Sequence, residues 1–300
     1  MKAARAIYAA LHRLSHPKPA GVTAPPPPPK IGLALGGGFA RGIAHAGVLE
    51  VFERHHIPIH CITGVSAGSI VAGAYASGAS PEEIARAGCA MRFGDVARWT
   101  LGRMGFVVSE RMQRFLKGLL NVYHFEEMRI PLGILATDLC SGRVVNFRDR
   151  GDVFLPIRAS CSYPGLFQPV FHQGRPLVDG AISMEIPAQL ARDLGATHVI
   201  SVYLPALGPD ASPSNMFQVI NRCFQIMQNR TEDTWRCHSD LVISPQLHGM
   251  SWDAFGCGPA MIEAGEEAAL AALPTIQSWL APSRVSAASP LLAMPGSVPA

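Results

Sequence analysis

Apolar residues in this chain fall into two alternating kinds of run. Short continuous apolar runs read as strands buried on both faces. Longer stretches with apolar residues three and four apart read as helices. Ile31–Leu35 is the first strand, and a helix is predicted from about Ile43 to Arg54, carrying Val48, Leu49 and Phe52. Residues 59–63 form the second strand, followed by a helix from Ala67. Pro81 opens another helix, with Glu82 and Glu83 where acids favour an N-terminus. Ser109, with Gln113 nearby, opens a helix to about Leu120. Leu132–Thr137 reads as a strand, joined through Ser141-Gly142 to a hairpin partner at Val144–Phe147. Asp152–Ser160 reads as helical, and the apolar pair Leu177-Val178 enters Asp179-Gly180-Ala181. Pro187 begins a helix ending near Gly195. His198–Leu204 is a strand, 215–238 a long helix, Leu241–Ser244 the last strand and about 259–280 the last helix. The stretch Phe93–Val108, with Trp99, Leu101, Met104, Phe106 and Val107 among glycines, fits no period. A loop packed on the core, a cap over a site and a contact with a bilayer are all compatible with it. Strands alternating with helices predict an α/β fold, a three-layer α/β/α sandwich around a mostly parallel central sheet.

Composition adjusts this picture at a few points. From His55 to Ser80 there is no Asp, Glu, Lys or Arg, a span long enough for a transmembrane helix. Pro58, Gly64, Gly68, Gly73 and Gly78 interrupt it, so a buried strand followed by a buried helix accounts for it better. Residues 1–15 place Ile7, Leu11 and Leu14 on one side of a short helix, with Lys2, Arg5 and Arg13 elsewhere. A frayed terminal helix is favoured over a membrane-surface helix, and no secretory signal is clear. Residues 17–29, ending in Pro25 through Pro29, form a polyproline linker, and the Ala/Ser/Pro-rich tail from Pro282 is expected to be disordered. The expected division is therefore 1–29, a folded domain at 30–281, and 282–300. At 48% hydrophobic and 16% charged, the chain can bury a sizeable core and still leave apolar surface. A net charge of +3 with scattered arginines excludes nucleic acid as the expected partner. Seven widely spaced cysteines without a Cys-x-x-Cys pair argue against a disulfide framework or zinc site and for a reducing, cytoplasmic setting.

The candidate chemistry centres on Gly64-Val65-Ser66-Ala67-Gly68, between a strand and a helix. Gly-x-Ser-x-Gly in that setting is the pattern of a nucleophile elbow, a sharp turn that leaves the serine hydroxyl exposed. A helix starting at Ala67 would aim its positive end at an oxyanion beside Ser66. Gly36-Gly37-Gly38 sits at the C-terminal end of the first strand, where ligands gather in such sheets and unobstructed backbone N–H groups can meet a negative charge. Nucleotide binding fits poorly. A P-loop would need Gly-Lys-Ser/Thr, and a dinucleotide fingerprint would need glycine at position 41, where Arg41 stands. A Ser-Asp-His triad could use Asp179 or Asp240 with His248, but eleven histidines offer many such combinations. Asp179 stands out because it follows an apolar pair at a strand end.

Taken together, Gly36-Gly37-Gly38-Phe39-Ala40-Arg41-Gly42, then Gly64-Val65-Ser66-Ala67-Gly68, then Asp179-Gly180-Ala181 resemble the patatin-like phospholipases, the bacterial branch above all. Ala136-Thr137-Asp138-Leu139 followed by Ser141-Gly142, Arg158-Ala159-Ser160-Cys161 with Pro164-Gly165 and Phe167, and Glu263-Ala264-Gly265 are similar to further blocks of that branch. The resemblance covers about residues 30–281, which it makes the catalytic domain. It implies a Ser-Asp dyad: Ser66 as nucleophile on a fatty-acyl ester and Asp179 as general base. Gly37 and Gly38, with Gly36, would form the oxyanion hole, and Gly64, Gly68, Gly180 and Arg41 would support the site. No metal or cofactor is implied. The implied partner is a lipid or acyl-ester substrate, with transient peripheral contact at the inner membrane surface. The oligomeric state is left open. One departure stands out: where family members often carry Asn-Pro after the Asp-Gly, this chain has Met184-Glu185. Two alternatives remain, a catalytically weak lipid-binding or regulatory relative and an α/β-hydrolase esterase whose triad histidine is His248, His238 or His198.

Overall fold

The continuous apolar runs become the central strands. A computed structural model describes residues 27–205, 212–213 and 215–281; the amino-terminal helix, most of the linker and the tail from Pro282 lie outside the described residues. β1 (Ile31–Leu35) is buried at every position and runs into the glycine loop and a 3₁₀ turn at Phe39–Ile43. α1 (Ala44–Arg54), β2 (Ile59–Gly64), α2 (Ala67–Ser77) and α3 (Pro81–Ala90) come after it. Ser80 caps α3 in a reciprocal box with Glu83, which satisfies two backbone donors at the helix start. Next come α4 (Phe93–Val96), the hairpin β3 (Arg98–Gly102) and β4 (Gly105–Val108), and α5 (Glu110–Leu119). β5 (Leu132–Asp138), β6 (Val144–Phe147), α6 (Phe154–Ser160), β7 (Val170–His172) and β8 (Arg175–Asp179) build the middle of the fold. α7 (Ala188–Asp193), β9 (His198–Val202), α8 (Met216–Arg230), α9 (Asp233–Arg236), β10 (Leu241–Ile243) and α10 (Gly258–Leu280) complete it.

The sheet runs β10-β9-β1-β2-β5-β8-β7, with β6 also paired to β5. The five strands from β10 to β5 are parallel, while β6, β7 and β8 add antiparallel pairings. Successive residues of β2 point to opposite layers. The Thr63 hydroxyl donates to the Pro187 carbonyl at the start of α7, whereas Gly64 lies against Gly68 of α2. The mostly parallel α/β/α sandwich is thus as expected. Pro29–Trp279 form one compact unit. No helix among the described residues is long and apolar enough to cross a membrane.

Three elements depart from the sequence pattern. Phe93–Val108 folds into α4 and the β3–β4 hairpin, whose Phe106 and Val107 N–H groups donate to the Leu166 carbonyl. Its strands are too short and too glycine-interrupted to show alternation. The predicted helix 215–238 breaks at Thr231, whose hydroxyl donates back to the Met227 and Gln228 carbonyls and competes with the ladder. β7 is only three residues long. It joins β8 through Gln173-Gly174, both with positive φ (50° and 76°), the geometry of a tight hairpin turn.

β5 sets the spacing between the two strand ends that matter most. Gly64 of β2 pairs with Ile134, and Asp179 of β8 pairs with Ala136 two residues further along. Truncating the fully buried Ile134 to Ala is expected to cost about 2–5 kcal/mol in urea unfolding.

Candidate active site

The turn after β2 places Ser66 at φ 52°, ψ −128°, a region that costs a non-glycine residue on the order of 1–3 kcal/mol. The surrounding glycines explain how it is held. A Cβ on Gly64 would lie 2.3 Å from the Gly68 carbonyl oxygen, and one on Gly68 2.4 Å from that of Leu35. No larger residue fits either place, so the chain must turn sharply where Ser66 sits. The Ser66 N–H donates to the Ser160 hydroxyl at 2.8 Å, which in turn donates to the Leu135 carbonyl at 2.7 Å. The Ser66 carbonyl accepts from the Ser69 hydroxyl and from the Cys161 thiol.

The Ser66 hydroxyl donates to Asp179 Oδ2 at 2.7 Å. Asp179 ends β8, and its other oxygen accepts from the Ala181 N–H at 2.9 Å. Asp179 is 1% exposed, and burial without a cation pushes its pKa up to about 7 against the pull of those two hydrogen bonds. Gly180 fits closely here, since a Cβ would meet the Leu135 carbonyl at 2.2 Å. The carbonyl of Gly180 accepts from the Ser183 and Met184 N–H groups. Gln228 of α8 donates to the Ala181 carbonyl at 3.2 Å. Backbone and α8 contacts thus support the aspartate loop without the amide that Met184 cannot supply. Met184 instead packs beside the core cluster containing Trp235.

The glycine loop faces this pair. A Cβ on Gly37 would lie 3.1 Å from Ser66 Cβ, which places its backbone directly against the elbow. Gly36 needs correction as an oxyanion donor: its N–H is engaged with the Val202 carbonyl at 3.1 Å, which anchors the loop to β9. The Gly36 carbonyl faces His45 Nε2 at 2.9 Å, so that nitrogen must be the donor, and burial lowers the His45 pKa to about 4. Phe39, at φ 50°, is held edge-on between Tyr163 and Trp252, each 5.1 Å away. Arg41 is buried, with its guanidinium donating to the Pro205 carbonyl at 2.5 Å, and burial lowers its pKa. Glu185 shares the cavity, and burial pushes its carboxyl up to about 7.

Ser66, Asp179, Gly37 and Gly38 line one cavity of about 50 Å³, roofed by Asn221, Gln225 and Gln228 of α8. Ser66, Asp179 and the loop are therefore brought together from positions far apart in sequence. Among the described residues no histidine is hydrogen-bonded to either member of the pair. His198 stacks near Trp279, and Asp240 is committed to Arg192 at 2.7 Å. A serine hydroxyl aimed at a buried carboxylate can be deprotonated as it attacks an electrophilic carbon. Ser160, His45 and the polar side of α8 are not legible as site residues in the sequence. Ser160 belongs to the Arg158–Cys161 stretch but carries no chemical signature of its own, and the others depend on long-range packing.

Residues 33–192 match the family model described as patatin-like phospholipase. An uncharacterized NTE family protein of Mycobacterium tuberculosis is 32% identical over 201 residues, covering 65% of this chain and 55% of that protein. Lysophospholipase NTE1 of Mycosarcoma maydis is 32% identical over 227 residues, covering 73% of this chain and 12% of the fungal protein. The chain thus spans about half the length of the first relative and a small part of the second. VipD from Legionella pneumophila shares the fold, with a TM-score of 0.59 at 11% identity over 84% of this chain and 68% of VipD.

Replacing Ser160 with Ala leaves the buried Ser66 N–H without its acceptor and is expected to cost about 1–3 kcal/mol in denaturant unfolding. For Asp179 the sign comes from the raised pKa. The folded state holds the proton more tightly than the unfolded state, so ionisation destabilises the fold as pH rises from about 4 to about 7. Asp179→Asn is therefore expected to melt several degrees above the parent at pH 8, with the difference vanishing near pH 4.

Proposed function

The chain belongs to the patatin-like phospholipase family, and from that premise we propose that it is a serine lipid acyl hydrolase cleaving fatty-acyl esters of phospholipids or related lipids. The observation that carries this reading is the 2.7 Å hydrogen bond from Ser66 to the buried carboxylate of Asp179 at a strained elbow. Ser66 Oγ attacks the acyl carbonyl carbon as its proton passes to Asp179 Oδ2. The N–H groups of Gly37 and Gly38, at the positive end of α2, hold the tetrahedral oxyanion. Collapse breaks the ester C–O bond, and the departing alkoxide takes the proton from Asp179. Water then attacks the acyl-enzyme, again giving a proton to Asp179, and the free acid leaves as Ser66 recovers its hydrogen. Residues 30–281 form the catalytic domain in this reading. The partner is the acyl-ester substrate, and the setting is cytoplasmic.

Raising the base toward pH 7 strengthens it as a proton acceptor and keeps it substantially ionised at neutral pH. Turnover of a short p-nitrophenyl ester is expected to fall about a thousandfold or more in Ser66→Ala. It should survive replacement of His198, His238 or His248 one at a time. Labelling of Ser66 by a fluorophosphonate separates this reading from that of an inactive lipid-binding relative. Because only the carboxylate accepts a proton, activity is expected to rise with pH through about 7. Glu185 titrates in the same range, so the same profile in Glu185→Gln would assign it to Asp179.

A further inference from the structure

α8 carries apolar side chains on both of its sides: Phe224 packs on Tyr163 and Ile220 lies beside Gly165, while four others face solvent. Its inward side presents Asn221, Gln225 and Gln228 to the cavity above Ser66. Its outward side exposes Met216 (67%), Val219 (49%), Ile226 (48%) and Met227 (53%) to solvent. A helix normally turns its apolar stripe to the core and its polar side to water. A second apolar group stands close by. Trp99 (66% exposed), Met104 and Phe106 project from the β3–β4 hairpin. One loop, residues 163–168, joins the two. Tyr163 donates to Asn221 at 3.0 Å and packs on Phe224 of α8, while Phe106 and Val107 of the hairpin donate to Leu166. Tyr163 also lines the cavity with Ser66 and Asp179. The exposed apolar residues of α8 and of the hairpin are therefore linked, through this loop, to the wall of the cavity.

Charge identifies the occupant. Residues 91–120, which carry the hairpin, hold six basic and two acidic residues, and α8 holds Arg222 and Arg230 with no acid. Arg92 and Arg103 are exposed beside the hairpin's apolar residues and make no ion pair among the described residues. Apolar side chains rimmed by arginines complement a bilayer with anionic headgroups, whose acyl region takes the former and whose surface takes the latter. The cavity beneath, at about 50 Å³, is far smaller than a lipid acyl chain requires. We infer that the outer face of α8 and the β3–β4 hairpin together form a docking surface for an anionic lipid bilayer. The inference rests on the hydrolase reading for its purpose, but its test is separate.

The full chain should float with phosphatidylglycerol vesicles and not with phosphatidylcholine vesicles, and binding should weaken as salt rises from about 0.1 M to about 0.5 M. The triple variant Val219→Gln, Ile226→Gln, Met227→Gln should bind those vesicles at least tenfold more weakly, with an unchanged near-ultraviolet circular dichroism spectrum. Trp99→Ala, on the hairpin alone, should weaken binding severalfold. Both should hydrolyse the soluble p-nitrophenyl ester at the parent rate, because none of these residues lines the cavity. Failure of the parent to bind either vesicle, or undiminished binding by both variants, would overturn the docking surface. So would a parent dimer that the triple variant dissolves, since the face would then be covered by a second copy. Loss of ester hydrolysis in the parent would instead count against the hydrolase reading, and vesicle flotation would still be read on its own.

Discussion

The buried carboxylate of Asp179, bonded to a hydroxyl rather than a cation, is the constraint on which the arrangement depends. Removing its charge from water is costly, and the two hydrogen bonds from Ser66 and Ala181 offset only part of that cost. A carboxyl left in this state is a stronger base than an exposed one. Arg41, buried in the same cavity, is turned toward the Pro205 carbonyl and not into an ion pair with Asp179. Had it paired with Asp179, the carboxylate would be more stable and less able to accept a proton. The burial that raises its proton affinity is also what makes its ionised form costly to the fold.

The rest of the fold holds two chain segments, distant in sequence, at hydrogen-bonding distance. β5 pairs with both β2 and β8, so the offset between Ile134 and Ala136 sets the elbow beside the aspartate. The elbow itself is held by close contacts that only glycine permits, Gly64 on Gly68 and Gly68 on the end of β1. The glycine loop is then fixed from the sheet by Val202, from α1 by His45 and from the surface by Trp252. Each anchor comes from a different layer, and so the strained φ values at Phe39 and Ser66 persist.

α8 links this interior to the surface. Asn221, Gln225 and Gln228 line the cavity and Gln228 braces the aspartate loop, while Met216, Val219, Ile226 and Met227 face outward. One helix thus lines the cavity beside Ser66 and Asp179 and carries the face proposed for a lipid surface. Its C-terminal end is set by Thr231, whose hydroxyl turns the chain and separates α8 from α9.

By itself the sequence determined the layered fold and marked the groups proposed to react. Unbroken apolar runs such as Ile31–Leu35 admit little but a buried strand, and Gly64, Ser66, Gly68 and Asp179 are residue types whose placement at strand ends carries chemical meaning. It also marked Met184-Glu185 as a departure, though not that backbone hydrogen bonds and Gln228 would support the loop instead. Tertiary structure alone decided that the Gly36 N–H is engaged by Val202, that Ser160 and His45 hold the elbow and loop, and that no described histidine meets Ser66. It alone also showed that α8 leaves Met216, Val219, Ile226 and Met227 exposed. The physical reason is common to all of these. A local pattern records what a residue is and which period it follows, whereas the partner of a hydrogen bond and the direction a helix faces depend on segments brought together only when the sheet closes.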